Sequence, residues 1–273
     1  LSDEVLRNAH AAVADFLNAP SPDEVVFGQN MTTLTFHVSR SIGATLGAGD
    51  EIVVTTLDHE ANVSPWRALA TDRDLVVRTA DIRTTDGTLD LDHLVSLIGP
   101  RTRLVACSHV SWRAGRHAPL DALRAACGDT VPLLLDAAQS AGAVPAEVAG
   151  LGATFYAGSG QKWLCGAVGT GMLWVSPTWT ERLATPGLHY GALDGQVRGL
   201  DASAAQTARR FDAPSLNALS AAVSLASFEL LDEYGFARVY ERSATLARGL
   251  AAQLTARGRA VAPRHDGPLV AWD

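Results

Sequence analysis

Short apolar runs alternate with helix-patterned segments along most of this chain, and that alternation restricts its fold more than any other feature. Strand-like text covers residues 24–27, 51–55, 74–78, 103–107, 131–135, 154–157 and 171–175. Helical spacing of apolar residues falls on 3–18, 32–46, 61–70, 91–97, 119–126 and 178–183. The run VPLLL at 131–135 is apolar throughout, as expected of a strand covered by helices on both faces of a parallel sheet. The order predicts an α/β fold, a three-layer sandwich around a mostly parallel, doubly wound sheet.

From Ser215 to about Ala256 the text becomes one long helical stretch, with Gly235 as the place where it kinks or breaks. Strand-like text resumes at 260–262. The organisation expected is one large domain over 1–257, followed at 258–273 by the start of a smaller α+β domain. Leu1 stands where a methionine would open a chain, and 268–272 (PLVAW) reads as a strand cut off mid-element. A parent longer in both directions is therefore expected.

The 273 residues are 47% apolar and 19% charged, which excludes a disordered or fibrous chain. Net charge is −7 with no basic run, so a nucleic-acid partner is not expected. Apolar stretches stop well short of a membrane span, and no signal peptide opens the chain. Cys107, Cys127 and Cys165 form no CxxC pair, which fits a reducing, cytoplasmic setting. The basic residues number 22, and one alone is lysine, Lys162. Lysine, unlike arginine, can lose its proton and attack a carbonyl.

In an open parallel sheet, ligands bind beyond the carboxyl ends of the strands. After the first strand comes Gly28-Gln29-Asn30-Met31-Thr32-Thr33, leading into a helix. Its free N–H groups and the Thr32 hydroxyl make a phosphate cradle, though the segment also reads as ordinary N-capping by Asn30 or Thr32. After the second strand stands Asp58-His59-Glu60, where the imidazole can stack on an aromatic ligand or lie solvated at a helix start. Adjacent acids and histidine on an extended segment do not all face one metal ion. Val131–Leu135 runs directly into Asp136, with Gln139 three residues on. A carboxylate there needs a cation or several donors, and it suits a protonated ring nitrogen; it also reads as a cap for the next turn. Lys162 lies in the loop Gly158-Ser159-Gly160-Gln161-Lys162-Trp163-Leu164, whose apolar flank favours a neutral amine. This loop is no Walker A motif, and no GxGxxG opens a βα unit. A phosphate cradle, a stacking ring, a carboxylate for a pyridinium and a Schiff-base lysine are together what pyridoxal phosphate requires.

With these residues assembled, the sequence resembles the class V aminotransferase group of fold-type I pyridoxal-phosphate enzymes, which includes cysteine desulfurases and isopenicillin N epimerase-like proteins. The stretches that carry the resemblance are DHEANVSPW (58–66), DAAQSAGAVP (136–145) and SGQKWLCG (159–166). The resemblance implies that Lys162 anchors the cofactor and shuttles the substrate Cα proton. It implies that Asp136 pairs with the pyridinium nitrogen, Gln139 bonds the phenolic oxygen and His59 stacks on the ring. The phosphate would be held by Met31 through its backbone, by Thr32 and by Ser159. Gln161 would join them where many desulfurases carry a histidine.

The resemblance also implies a homodimer and a small amino-acid substrate. Its favoured outcome is cysteine desulfuration or a related C–S lyase reaction. Amino-acid epimerisation or amino transfer shares the same first half, and Gln161 together with Trp112, which replaces a common asparagine, pulls toward the epimerase branch. A relative that has lost activity and serves as a scaffold is the reading from a different class. A residue from a second subunit that completes the phosphate site in many relatives has no clear counterpart near 188–193. The substrate-carboxylate arginine and any reactive desulfurase cysteine are expected beyond Asp273. Cys165 reads as a packing residue, and Asn-x-Ser/Thr at Asn30 and Asn62 reads as chance.

Overall fold

The computed structural model describes residues 2–83, 85–185, 187, 189–194 and 199–273. Among these, seven strands form one sheet: β1 (Val25–Gly28), β2 (Glu51–Thr55), β3 (Val76–Ala80), β4 (Thr102–Ser108), β5 (Leu133–Asp136), β6 (Phe155–Ser159) and β7 (Gly171–Val175). Their spatial order is β1-β7-β6-β5-β4-β2-β3. The neighbours from β3 to β6 pair in parallel, and β7 runs antiparallel to both β6 and β1.

The helices are α1 (Ser2–Phe16), α2 (Met31–Gly43), α3 (Ser64–Arg73), α4 (Leu91–Leu97), α5 (Leu120–Cys127), α6 (Val148–Leu151), α7 (Pro177–Thr180), α8 (Ala218–Tyr234) and α9 (Phe236–Ala256). They cover both faces of the sheet, because successive strand residues point to opposite sides. Leu133 and Leu135 join Val13 and Ala14 of α1, Leu94 of α4 and Leu123 of α5 in one core cluster. Leu134, between them, joins Leu34, Val38 and Ile42 of α2 and Trp66 and Leu69 of α3 in the other. The three-layer, mostly parallel α/β sandwich is thus present.

Several boundaries moved for identifiable reasons. Pro132 has no N–H to give a ladder, so β5 starts at Leu133 and takes Asp136 in as its last residue. The helix expected at 61–70 opens with a 3-10 turn at Glu60–Asn62 and becomes α-helical at Ser64. The long stretch after Ser215 divides at Gly235, whose φ of 82° belongs to no right-handed helix. In 258–273 the sheet-like feature is a single bridge, Val261 to Trp272. This segment lies against the loop after β4, where the His117 N–H donates to His265 Nδ1 at 2.8 Å.

Candidate functional site

Because β1, β2, β4, β5 and β6 share a direction, their carboxyl ends open on one edge of the sheet. The chain order reverses there between β2 and β4, the place where open α/β sheets form a crevice. A cleft of about 290 Å³ occupies this edge, and every site residue named from the sequence lines it: Met31, Thr32, His59, Asp136, Gln139, Ser159, Gln161 and Lys162.

The first wall is the N-terminus of α2. Asn30 Oδ1 accepts the Thr33 N–H at 3.0 Å, and Thr33 Oγ1 accepts the Asn30 N–H at 3.3 Å. This is a reciprocal capping box. Asn30 therefore does the ordinary capping work, which leaves Thr32 for a ligand. Met31 N–H donates to Ser159 Oγ at 3.0 Å, tying α2 to β6. Accepting that bond leaves the Ser159 hydroxyl its own proton to donate. Gly171 makes the close fit feasible, since a Cβ there would stand 2.6 Å from backbone atoms of Asn30. Among the described residues, neither the Thr32 N–H nor its hydroxyl has a protein acceptor. The wall thus offers unpaired donors at a helix N-terminus, the arrangement that holds a phosphate.

The loop after β2 is fixed by Asp58. Its Oδ2 accepts from the Thr55 N–H at 3.0 Å and from Thr55 Oγ1 at 2.9 Å. Its Oδ1 accepts from Asn62 Nδ2 at 3.1 Å and from Ser108 Oγ at 2.8 Å. Desolvation raises the Asp58 pKa, against the lowering effect of these donors. His59 follows on this braced loop and is exposed to the cleft. Its Nδ1 accepts the Ala61 N–H at 3.1 Å, so the neutral ring carries its proton on Nε2. Trp112 meets it edge to face, with ring centroids 5.4 Å apart.

At the floor lies Asp136, 4% exposed. The Ala138 N–H donates to its Oδ1 at 2.8 Å. Burial pushes its carboxyl up to about 7, and the charge of Asp58 adds to that, while the Ala138 N–H and Lys162 act in the opposite direction. Among the described residues no basic side chain forms an ion pair with Asp136. A buried carboxylate facing a cleft without a basic partner is short of one cation. A protonated pyridine nitrogen supplies that cation, and the donors at α2 suit a phosphate. The residues present therefore fit pyridoxal phosphate.

Lys162 and Gln161 stand exposed at the cleft on the loop after β6. The apolar flank expected around Lys162 is not there, because its neighbours turn elsewhere. Leu164 is buried in the core, and the Trp163 indole N–H donates to Gln139 Oε1 at 2.8 Å. Cys165 is not a packing residue: it is exposed, and its φ of 55° turns it out of the run while Leu164 takes the buried place. Leu188, at the head of the 188–193 segment, lies outside the described residues.

Three residues were missed or underweighted by reasoning from sequence. Ser108 ends β4 and lines the cleft, and the strand-end rule that found Asp136 would have found it. Asp58 looked like a poor metal ligand and proves to be the brace of the His59 loop. Trp163 looked like apolar flank, and no one-dimensional signal joins it to Gln139.

Comparison with known proteins accords with this geometry. The family model for aminotransferase class-V matches residues 2–266. A probable cysteine desulfurase of Mycolicibacterium paratuberculosis is 38% identical over 174 residues, 63% of this chain and 25% of that protein. A cysteine desulfurase of Klebsiella pneumoniae is 41% identical over 163 residues, 59% of this chain and 40% of that protein. The crystal structure of the cysteine desulfurase CsdA from Escherichia coli superposes with a TM-score of 0.89 at 27% identity, covering 100% of this chain and 68% of that one. The chain spans well under two thirds of the length of these two curated relatives.

Proposed function

This chain belongs to the class V aminotransferase family of pyridoxal-phosphate enzymes, and from that premise we propose that it is the cofactor-binding part of an enzyme acting on an amino acid, with C–S cleavage of the cysteine desulfurase or C–S lyase kind as the outcome. The observation that carries this reading is the meeting of the chain's single lysine, Lys162, with the cation-deficient Asp136 on one cleft.

When bound, the cofactor supplies a ring that accepts the electron pair released at the substrate Cα. The chain's own residues do the rest. Lys162 Nζ would anchor the cofactor and, as a neutral amine, would take up the substrate Cα proton. Asp136 would hold a proton on the ring nitrogen, which would keep the ring electron-poor. His59, which carries its proton on Nε2, would cover one face of the ring. Gln139 would donate to the phenolic oxygen, and Thr32, Ser159 and Gln161 would surround the phosphate. The Met31 N–H is given to Ser159 Oγ and so orients that hydroxyl rather than reaching the phosphate itself.

Trp112 favours a second reading, amino-acid epimerisation, because an indole occupies the cleft wall where desulfurases commonly carry an asparagine. To the same proposal belong a homodimer, a cytoplasmic setting and a small domain beginning near residue 258. No helix among the described residues is long and apolar enough to cross a membrane.

Product analysis with L-cysteine in heavy water tests the proposal. Desulfuration yields alanine with sulfur passed to a thiol acceptor, and lyase chemistry yields pyruvate, ammonia and sulfide. Deuterium at Cα with the sulfur retained would turn the assignment to the epimerase reading. No exchange and no cleavage in the cofactor-loaded protein would overturn it.

A further inference from the structure

Indole nitrogen is a donor only, so the bond between Trp163 Nε1 and Gln139 assigns the Gln139 amide without ambiguity. Its acceptor at 2.8 Å is Oε1. Gln139 lines the cleft, and with Oε1 taken by Trp163 its amide has Nε2, with two hydrogens, left to offer a ligand there. A flipped amide would instead present a carbonyl oxygen to the cleft, and a carbonyl repels an anionic oxygen.

The backbone of Trp163 is held in place from behind. Gly142, on the same turn as Gln139, has a φ of 85°, and a Cβ there would lie 2.7 Å from the Trp163 carbonyl carbon. The turn after β5 and the loop after β6 therefore touch backbone to backbone. On the other side, Leu164 is sunk in the core. The Gly166 N–H donates to the Gly160 carbonyl at 2.9 Å, closing the loop on itself. The Trp163 backbone has little freedom to follow Gln139 if the amide turns.

We propose that Trp163 is a positioning residue that fixes Gln139 as a donor toward the phenolic oxygen of the cofactor. The proposal rests on the reading of Gln139 given above. It makes one loop responsible for two functions: Lys162 presents the amine, and Trp163 sets the hydrogen-bond polarity that Gln139 would offer the phenolic oxygen.

The test is the pH titration of the bound cofactor's visible absorbance in the cofactor-loaded chain. A donor to the phenolate lowers the midpoint, so Gln139→Leu raises it. Trp163→Phe keeps the ring's bulk but frees the amide, and should raise the midpoint in the same direction by about half a pH unit. The double variant should go no further than Gln139→Leu alone, because both changes act through one bond. Trp163→His, whose Nε2 falls near the indole nitrogen position, should return most of the shift and serves if the phenylalanine variant folds poorly. A Trp163→Phe midpoint equal to the parent's, with Gln139→Leu shifted, overturns the inference and leaves the reading of Gln139 intact. Shifts that add in the double variant overturn it as well. No shift in Gln139→Leu removes the reading of Gln139 and the inference with it.

Discussion

Ser108 is the register partner of Asp136 across β4 and β5, and its hydroxyl donates to Asp58 Oδ1 at 2.8 Å. Asp58 and Asp136 are thereby set on either side of Ser108 at the carboxyl end of the sheet. The charge of Asp58 adds to the cost of ionising Asp136, and the chain supplies no basic side chain among the described residues to pair with Asp136.

The first consequence is a trade between stability and function. Folded Asp136 titrates at about 7, whereas an unfolded aspartate titrates near 3.9. Between those values the folded state keeps a proton that the unfolded state has lost, so stability falls as pH rises and the penalty is complete above about 7. Asp136→Asn removes it. The cofactor-free variant should unfold at higher denaturant than the parent at pH 8, by about 2–4 kcal/mol, and equal it near pH 4. Its turnover should fall by orders of magnitude. A variant less stable than the parent at pH 8 would contradict the account of this carboxylate.

The helix N-terminus makes a prediction about ligand choice. Thr32→Ala removes a hydroxyl that no described protein group uses, so the fold should keep its stability within about 0.5 kcal/mol. Pyridoxal phosphate should bind roughly tenfold more weakly, the worth of about one charge-assisted hydrogen bond. Pyridoxal, which lacks the phosphate, should bind unchanged. Ser159→Ala differs, because it also orphans the Met31 N–H and should cost about 1–3 kcal/mol of stability.

Gly142 should tolerate no side chain. An alanine there combines a φ of 85° with a Cβ placed 2.7 Å from the Trp163 backbone. Gly142→Ala should lose more than about 2 kcal/mol in chemical denaturation. A neutral outcome would mean that the two loops are not held together as described.

Trp112 is 41% exposed, so its truncation should change substrate use more than folding. Trp112→Ala removes an edge contact to His59 worth about 0.5–1.5 kcal/mol and opens the cleft wall. The ratio of kcat/KM for bulky over small S-substituted cysteines should rise severalfold. An unchanged ratio would remove Trp112 from the determinants of specificity.

Much of this molecule was legible in its sequence. The all-apolar run ending in Asp136 identified a buried central strand and the cleft beyond it, because period-two burial on both faces leaves no polar position until the strand ends. The single lysine among so many arginines pointed to Lys162. The surroundings of Lys162 were not legible: adjacency to Trp163 and Leu164 suggested an apolar niche, yet a loop residue's neighbours in sequence point where tertiary partners draw them. The same holds for Cys165, which a left-handed φ turns outward. The bond from Trp163 to Gln139 and the brace around Asp58 join residues from separate strand ends, and local pattern carries no record of such pairings.

The most direct test of the central claim is borohydride reduction of the folded chain in the presence of pyridoxal phosphate, followed by peptide mass mapping. The account predicts one pyridoxyl adduct on the peptide that contains Lys162, absent from Lys162→Ala. A folded parent with no adduct at Lys162, or the same adduct pattern in Lys162→Ala, would contradict it.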